Sequence, residues 1–217
     1  MPIIGVGNQT GNLGKTTLVE GAIVECLRNG LSIGACDLDI EHQTLSTQFK
    51  GRVELGIEPV IEIDQPKNAV EAVKLAKTSE ADIYWIDCPS RATEATEHIA
   101  LNVDLFILPT PTSKKDLNLT IDTYYQLVQK GVPHAKILGV LTRVPTEGRF
   151  KAAKRYLNDG QIDGKSMNVL ASPLWEKTGY ELAINDGFSM VETAYERLNS
   201  SARAVVHEIL THCLRNG

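Results

Sequence analysis

Ile3-Ile4-Gly5-Val6-Gly7-Asn8-Gln9-Thr10-Gly11-Asn12-Leu13-Gly14-Lys15-Thr16-Thr17 is the stretch that decides the fold. An apolar run that ends in glycines and turns directly into a helical pattern has the layout of a phosphate-binding loop. Its backbone N–H groups converge on one point, and the helix N-terminus adds the positive end of its dipole. The spacing assigns Gly11, Asn12, Leu13, Gly14, Lys15, Thr16 and Thr17 to a polyphosphate. Lys15 bridges the outer phosphates as a point charge, the Thr16 hydroxyl ligates Mg²⁺ and Thr17 reaches the α-phosphate. The plain nucleotide-loop pattern asks for glycine where Gln9 stands, so it is met only in part; a Gly- and Asn-rich surface turn is the alternative.

Two later segments weigh against that alternative. Gly34-Ala35-Cys36-Asp37-Leu38-Asp39 and Ile83-Tyr84-Trp85-Ile86-Asp87-Cys88-Pro89 are apolar runs ending in carboxylates. In a parallel sheet all strand C-termini lie on one edge, so these groups meet the loop around one nucleotide. Asp37 and Asp87 then serve the metal, Asp87 through water. A lone Asp at such a place is more often a turn residue or a helix cap, but strand-end signals in series point to a site.

Around these motifs, strands are expected near residues 3–7, 32–36, 82–87, 104–108, 136–142 and 167–171, with helices between them. The clearest helix runs from Lys114 to Lys130, where Leu117, Ile121, Tyr124, Tyr125 and Val128 recur at helical spacing. Between Arg52 and Asp64, Val53-Glu54-Leu55-Gly56-Ile57 and Val60-Ile61-Glu62-Ile63 read as short extended pieces forming a hairpin or an edge strand. The chain has 217 residues, 42% of them hydrophobic, enough for one sizeable core, and it carries no repeat, low-complexity tract or linker. The expectation is a single α/β domain over residues 1–217: a mostly parallel, twisted sheet with helices on both faces.

The four cysteines, Cys26, Cys36, Cys88 and Cys213, have neither disulfide-framework nor zinc spacing, which suits a reducing cytosol. The start, Met1-Pro2-Ile3-Ile4, lacks the basic region of a signal peptide, and no apolar run approaches the ~20 residues of a membrane span. A soluble, cytoplasmic protein is expected.

These residues together resemble the ParA/MinD group of P-loop ATPases, whose loop is of the deviant kind Lys-Gly-Gly-x-Gly-Lys-Thr. Asn8 to Thr17 is similar to the partition-protein loop, and Asp37-Leu38-Asp39-Ile40-Glu41-His42-Gln43 resembles the group's Asp-x-Asp motif with its switch segment. Ile86-Asp87-Cys88-Pro89 and Val103-Asp104-Leu105-Phe106-Ile107-Leu108-Pro109-Thr110 continue the likeness. It closes on Val169-Leu170-Ala171-Ser172-Pro173, Asn185-Asp186-Gly187 and Val191-Glu192. The resemblance implies ATP and Mg²⁺ as ligands, hydrolysis to ADP and phosphate with Asp39 orienting the water, and a homodimer in the ATP state. It also places the base near Thr142 and Arg143; the Asn-Lys-x-Asp run of guanine binders is absent. Cys36 and Cys88 flank the metal edge, as in iron–sulfur relatives of the group, although buried cysteines are common.

One departure stands out: the group's signature Lys is Thr10 here, and its second Gly is Asn12. In the group that Lys neutralises phosphate on the partner subunit's ATP, and Thr brings no charge. Slow hydrolysis is expected, with Arg91, Lys114 or Lys115, which begin segments after strand ends, as other sources of charge.

The net charge is −5, yet Arg143, Arg149, Lys151, Lys154 and Arg155 crowd a short span opposed only by Glu147. Lys151, Lys154 and Arg155 share a helical face, suited either to duplex phosphates or simply to solvent. The family likeness implies nonspecific DNA binding, with nucleoid association and a DNA-binding adaptor protein as partners in plasmid partition. An ATP-binding scaffold with little hydrolysis, in plasmid stability or conjugation, is the contrasting reading, and an ATP-dependent ligase or synthetase of related fold is a weaker one. MinD-like membrane attachment would use the C-terminal stripe Ala202, Val205, Val206, Ile209, Leu210 and Cys213. Few flanking cations and no large aromatic residue make packing on the domain the expectation for that stripe.

Overall fold

The computed structural model describes residues 1–11, 13–90, 93–159, 161–162 and 165–216. Five of the expected strands form as β1 (Ile3–Val6), β2 (Ile33–Asp37), β3 (Ile83–Asp87), β4 (Leu105–Thr110) and β5 (Ile137–Leu141). A short antiparallel hairpin, β6 (Gln161–Ile162) with β7 (Lys165–Ser166), precedes the sixth, β8 (Asn168–Val169). The six form one parallel sheet in the order β2-β3-β1-β4-β5-β8. Helices fill the crossovers, α1 (Lys15–Arg28), α2 (Thr44–Leu55), α3 (Ala69–Thr78), α4 (Thr93–Asn102), α5 (Lys114–Gln129) and α6 (Glu147–Asp159), and α7 (Thr178–Asn185) and α8 (Glu196–Asn216) follow the last strand.

Apart from the polar strand ends Asp37, Asp87 and Thr110 and the short edge strand β8, the strands are apolar because both sheet faces are covered, as a parallel sheet requires. Alternate side chains go to opposite layers. Ile4, Val6, Ala35, Trp85, Ile107 and Val140 join Leu18, Ala22 and Ile23 of α1 and Val205, Val206 and Ile209 of α8. Ile3, Cys36, Tyr84, Ile86, Phe106 and Leu108 join residues of α3, α4, α5 and α6. The layers sit close: a Cβ on Gly5 would lie 2.8 Å from Ile99 Cγ2 and 2.9 Å from the Phe106 ring.

α5 matches the expected span and buries Leu117 and Tyr124, with Ile121 and Val128 packed alongside. The α8 stripe is core: Ala202, Val205, Val206, Ile209 and Cys213 are all buried. No described helix is long and apolar enough to cross a membrane.

The segment from Arg52 differs from the expected hairpin or edge strand. Leu45, Phe49 and Arg52 are buried at helical spacing, so Val53-Glu54-Leu55 completes α2. Gly56, left-handed at φ 66°, ends it, its N–H donating to the Val53 carbonyl and the Ile57 N–H to the Arg52 carbonyl. The later part forms no strand and meets the sheet at a single parallel bridge between Cys36 and Asp64. The helical period overrode a β-branched pattern too short to decide the matter.

Candidate nucleotide-binding cleft

The register brings the strand-end groups together. Val6 and Asp37 both stand opposite Asp87, at the C-terminal edge of the sheet. Beyond that edge opens a cleft of about 990 Å³. The loop before α1, the segment after β2, the start of α3, the turn after β3 and Arg143 beyond β5 line it.

The loop is held from behind. Asn8 is fully buried; its amide donates to Pro109 O (3.0 Å) and Thr120 Oγ1 (2.9 Å) and accepts from Gln9 N (2.8 Å) and Thr123 Oγ1 (3.2 Å). Gln9 also bonds Gln126, so successive turns of α5 anchor the strand-to-loop junction. At the other end Thr142, also fully buried, donates to Leu13 O at 2.8 Å. Gly14 takes φ 79° to swing the chain into α1, and no side chain caps that helix, which leaves its first N–H groups for an anion.

Lys15 is only 6% exposed, and its ammonium donates to Thr10 O (3.3 Å) and Ser90 Oγ (2.8 Å). Burial pulls its pKa below the ordinary lysine value, with the Asp87 charge opposing that shift. Thr16 Oγ1 donates to Asp87 Oδ2 at 2.7 Å. The other Asp87 oxygen, Oδ1, is buried with no hydrogen-bond partner, and burial lifts this carboxyl to about 7. An orphaned, desolvated carboxylate oxygen beside a hydroxyl is what an arriving cation would satisfy.

Asp37 holds a different place from its neighbour. Its Oδ1 accepts from Asp39 N and its Oδ2 from Ser46 N, each at 3.1 Å, so its carboxylate ties the turn after β2 to the start of α2. Burial raises its pKa, and those backbone bonds oppose the rise. Asp39 lines the cleft, and its Oδ1 accepts from His42 N at 3.1 Å with His42 Nδ1 equally close. Gln43 and Arg143, at φ 46° and 48°, are the described non-glycine residues in left-handed conformation, and both adjoin the cleft or its switch-like segment.

Of the other sequence-selected residues, Gly11, Leu13, Gly14, Thr16, Thr17 and Arg143 line the cleft, and Thr142 supports it. Asn12 and Arg91 fall outside the described residues. Lys114 and Lys115 open α5 away from the cleft lining. On α6, Arg149, Lys151 and Arg155 are exposed, with Lys151 3.5 Å from Glu147. Lys154 is engaged: its ammonium donates to Leu170 O at 3.0 Å and lies 5.7 Å from the Phe150 ring centre. Ser90, Asn8 and Lys67 went unselected; only the Asn-x-x-Glu cap ahead of α3 signalled the last.

Among the described residues no three His, Cys, Asp or Glu side chains are grouped to hold a metal. Thr16 Oγ1 and the Asp87 carboxylate, with its partnerless Oδ1, fit Mg²⁺, which takes one or two protein oxygens together with substrate phosphates and water.

No curated protein matches the chain. Among solved structures, the septum site-determining protein MinD from Pyrococcus horikoshii, complexed with Mg-ADP, is similar at TM-score 0.71 and 19% identity, over 96% of this chain and 95% of that one. The ATP complex of a Cyanothece McdA variant follows at TM-score 0.66 and 19% identity, over 96% of each chain. A putative plasmid partition protein from Borrelia burgdorferi bound to AMPPNP is similar at TM-score 0.66 and 15% identity, over 97% of this chain and 98% of that one. These likenesses carry the parallel fold through its whole length. The family of the ATPase MipZ matches residues 2–137, from β1 through the end of β4 and α5 to the start of β5, and with it the loop and all three strand-end carboxylates. The chain belongs to the MipZ ATPase family, within the wider ParA/MinD group of P-loop ATPases.

Proposed function

We propose that residues 1–217 act as one ATPase domain that binds ATP with Mg²⁺, hydrolyses it slowly to ADP and phosphate, and couples the nucleotide state to self-association in positioning DNA, foremost in plasmid partition. The buried Lys15 beside the Thr16–Asp87 pair carries this reading. A buried ammonium facing an open cleft, next to a carboxylate oxygen without a partner, is costly unless a phosphate and a cation complete it. The nucleotides named with the McdA and Borrelia structures support ATP over other polyphosphates.

In this proposal the loop N–H groups, Lys15 and Thr17 hold the phosphates, and Thr142 keeps the loop in shape through Leu13 O. Thr16 and Asp87 would hold Mg²⁺, while Asp37 fixes the turn that presents Asp39. Bound there, Mg²⁺ would neutralise charge on the phosphates. Asp39 orients the water for in-line attack on the γ-phosphorus, and the bond to the departing ADP oxygen breaks. Arg143 meets the base side of the nucleotide. In the ATP state two copies associate, and the exposed Arg149, Lys151 and Arg155 give nonspecific contacts to DNA phosphates, with Lys154 braced against its own domain. A DNA-bound adaptor protein stimulates hydrolysis and release, and the protein works in the cytoplasm at the nucleoid.

The test is ATP turnover with sedimentation and gel shift on nonspecific duplex. Expected are a slow basal rate and a salt-sensitive shift present with ATP and absent without it; a folded protein with no calorimetric response to ATP overturns the reading. Thr10 favours a second reading, an ATP-gated scaffold. The position offers Lys15 only a backbone carbonyl, and the Thr10 hydroxyl is buried without a partner. Tight ATP binding with negligible turnover in the presence of DNA and adaptor would select it.

A further inference from the structure

The cleft is close to electroneutral before any ligand enters. Its described lining holds three basic side chains, Lys15, Lys67 and Arg143, against three acidic ones, Asp39, Glu41 and Asp87. A triphosphate adds several negative charges, and the Lys15 ammonium is already shared between Thr10 O and Ser90 Oγ.

Lys67 is built to stand on the lip formed by the start of α3. Asp64 is bridged to β2 through Asp37 N→Asp64 O and Asp64 N→Ala35 O, both 2.9 Å, and its carboxylate accepts from Tyr84 OH at 2.7 Å. Asn68 then caps α3 by accepting from Glu71 N at 3.0 Å, and Glu71 returns to accept from Lys67 N at 2.8 Å. This reciprocal cap fixes the Lys67 backbone and uses the nearest carboxylate. The Lys67 backbone is thereby locked while its ammonium makes no hydrogen bond or ion pair within the described residues. Lys114 and Lys115, which also follow a strand end, lack this placement on the cleft.

We propose that Lys67 is a phosphate-binding residue of the nucleotide cleft, acting on the triphosphate held by Lys15 of the same subunit. The inference rests on the proposed ATP-binding role of that cleft. It gives the protein a cation, placed far along the chain from the loop, for charge that Thr10 does not supply.

The experiment measures binding of a fluorescent ATP analogue and of its ADP counterpart to wild type, Lys67→Ala, Lys67→Arg and, as a surface control, Lys114→Ala, with thermal melts confirming folding. Lys67→Ala is expected to weaken ATP binding about tenfold, the worth of one charge-assisted contact, with a smaller loss for ADP and a shallower salt dependence. Lys67→Arg retains most of the affinity and Lys114→Ala all of it. Wild-type binding with an unchanged Lys67→Ala variant overturns the inference and leaves the ATPase reading standing; absence of binding in wild type overturns that reading itself. Mixing Lys67→Ala with Lys15→Ala protein tests the same-subunit assignment. No recovery of turnover is expected, and recovery would move Lys67 onto the partner's nucleotide and overturn the assignment.

Discussion

Two sets of buried charge in this molecule stand at opposite ends of its energetics. At the cleft, Lys15 and Asp87 are buried with incomplete partners, and Asp87 Oδ1 has none. Away from it, Arg52 is fully buried and completely engaged. It meets Glu192 through two nitrogens at 2.7 and 3.2 Å, and it donates to Pro59 O (3.2 Å) and Gly187 O (3.4 Å). Glu192 further accepts from Ser189 N and Oγ, both at 2.9 Å, with Arg28 at 3.3 Å. Burial disfavours the Glu192 charge, yet the bonds from Arg52 and Ser189 hold its pKa below the ordinary value. The satisfied pair ties α2 to the turn before α8 and serves the fold, whereas the unsatisfied pair waits for a ligand.

Breaking the satisfied pair should have the largest effect on stability. Arg52→Ala leaves Glu192 buried and unpaired and is expected to cost about 3–5 kcal/mol in urea denaturation. Arg52→Met with Glu192→Leu should recover most of that loss, because two well-packed apolar side chains remove both desolvation penalties. A loss below about 1 kcal/mol for the single variant would place the pair among ordinary surface bridges.

The cleft should respond the other way. Lys15→Ala is expected to change the unfolding free energy by less than about 1 kcal/mol, since two hydrogen bonds and a desolvation penalty leave together. ATP affinity by calorimetry should fall by about 100-fold or more, the worth of two charge-assisted contacts. Equal losses of stability and binding would erase the distinction between the two regions.

Glu20 of α1 sharpens the contrast through pH. It is 2% exposed beside the anchor; burial and the Glu192 charge raise its pKa from 4.5 to about 8, against the pull of Arg52. Its Oε2 has no hydrogen-bond partner, as suits a protonated acid. Between those two pKa values the folded chain keeps a proton that the unfolded chain has released, so this group's contribution to stability falls as pH rises toward 8. Each unit of separation is worth about 1.4 kcal/mol. Glu20→Gln should therefore gain on wild type from pH 5 to pH 8 in denaturation midpoints, by up to a few kcal/mol, and parallel profiles would contradict it. Glu192 slopes oppositely: its depressed pKa gives stability that is lost on acidification through the folded value.

The cleft was legible in the chain because its signals are local. Glycines before a helix, Lys15-Thr16 and strand-end aspartates announce themselves within a few residues, and parallel topology places them on one edge. The anchor was not, because a buried Arg has the same letter as an exposed one and its partner lies 140 residues away. The same blindness makes Val53 to Leu55 read as part of an extended piece instead of the end of α2. Asp37 and Thr142 were legible as site-edge residues, but their backbone partners, Ser46 N and Leu13 O, appear only with the turns in place. Lys154 looked equivalent to Lys151 by helical spacing until the Leu170 carbonyl claimed it.

The smallest expected effect lies at the buried amide that fastens the loop to α5. Thr120→Val keeps the side-chain shape but removes the hydroxyl that accepts from Asn8 Nδ2 at 2.9 Å. Asn8 retains Pro109 O for the same nitrogen and Thr123 for its oxygen, so the amide loses one bond of several. The expected cost is about 1 kcal/mol in denaturation, with a few-fold weakening of ATP binding because the loop's start is less firmly held. Asn8→Ala, which strips every bond at once, should exceed Thr120→Val on both measures. If instead Thr120→Val lowers stability while leaving nucleotide affinity untouched, the α5 contacts belong with the Arg52 anchor as scaffold, and the loop keeps its shape from Thr142 and Gly14 alone.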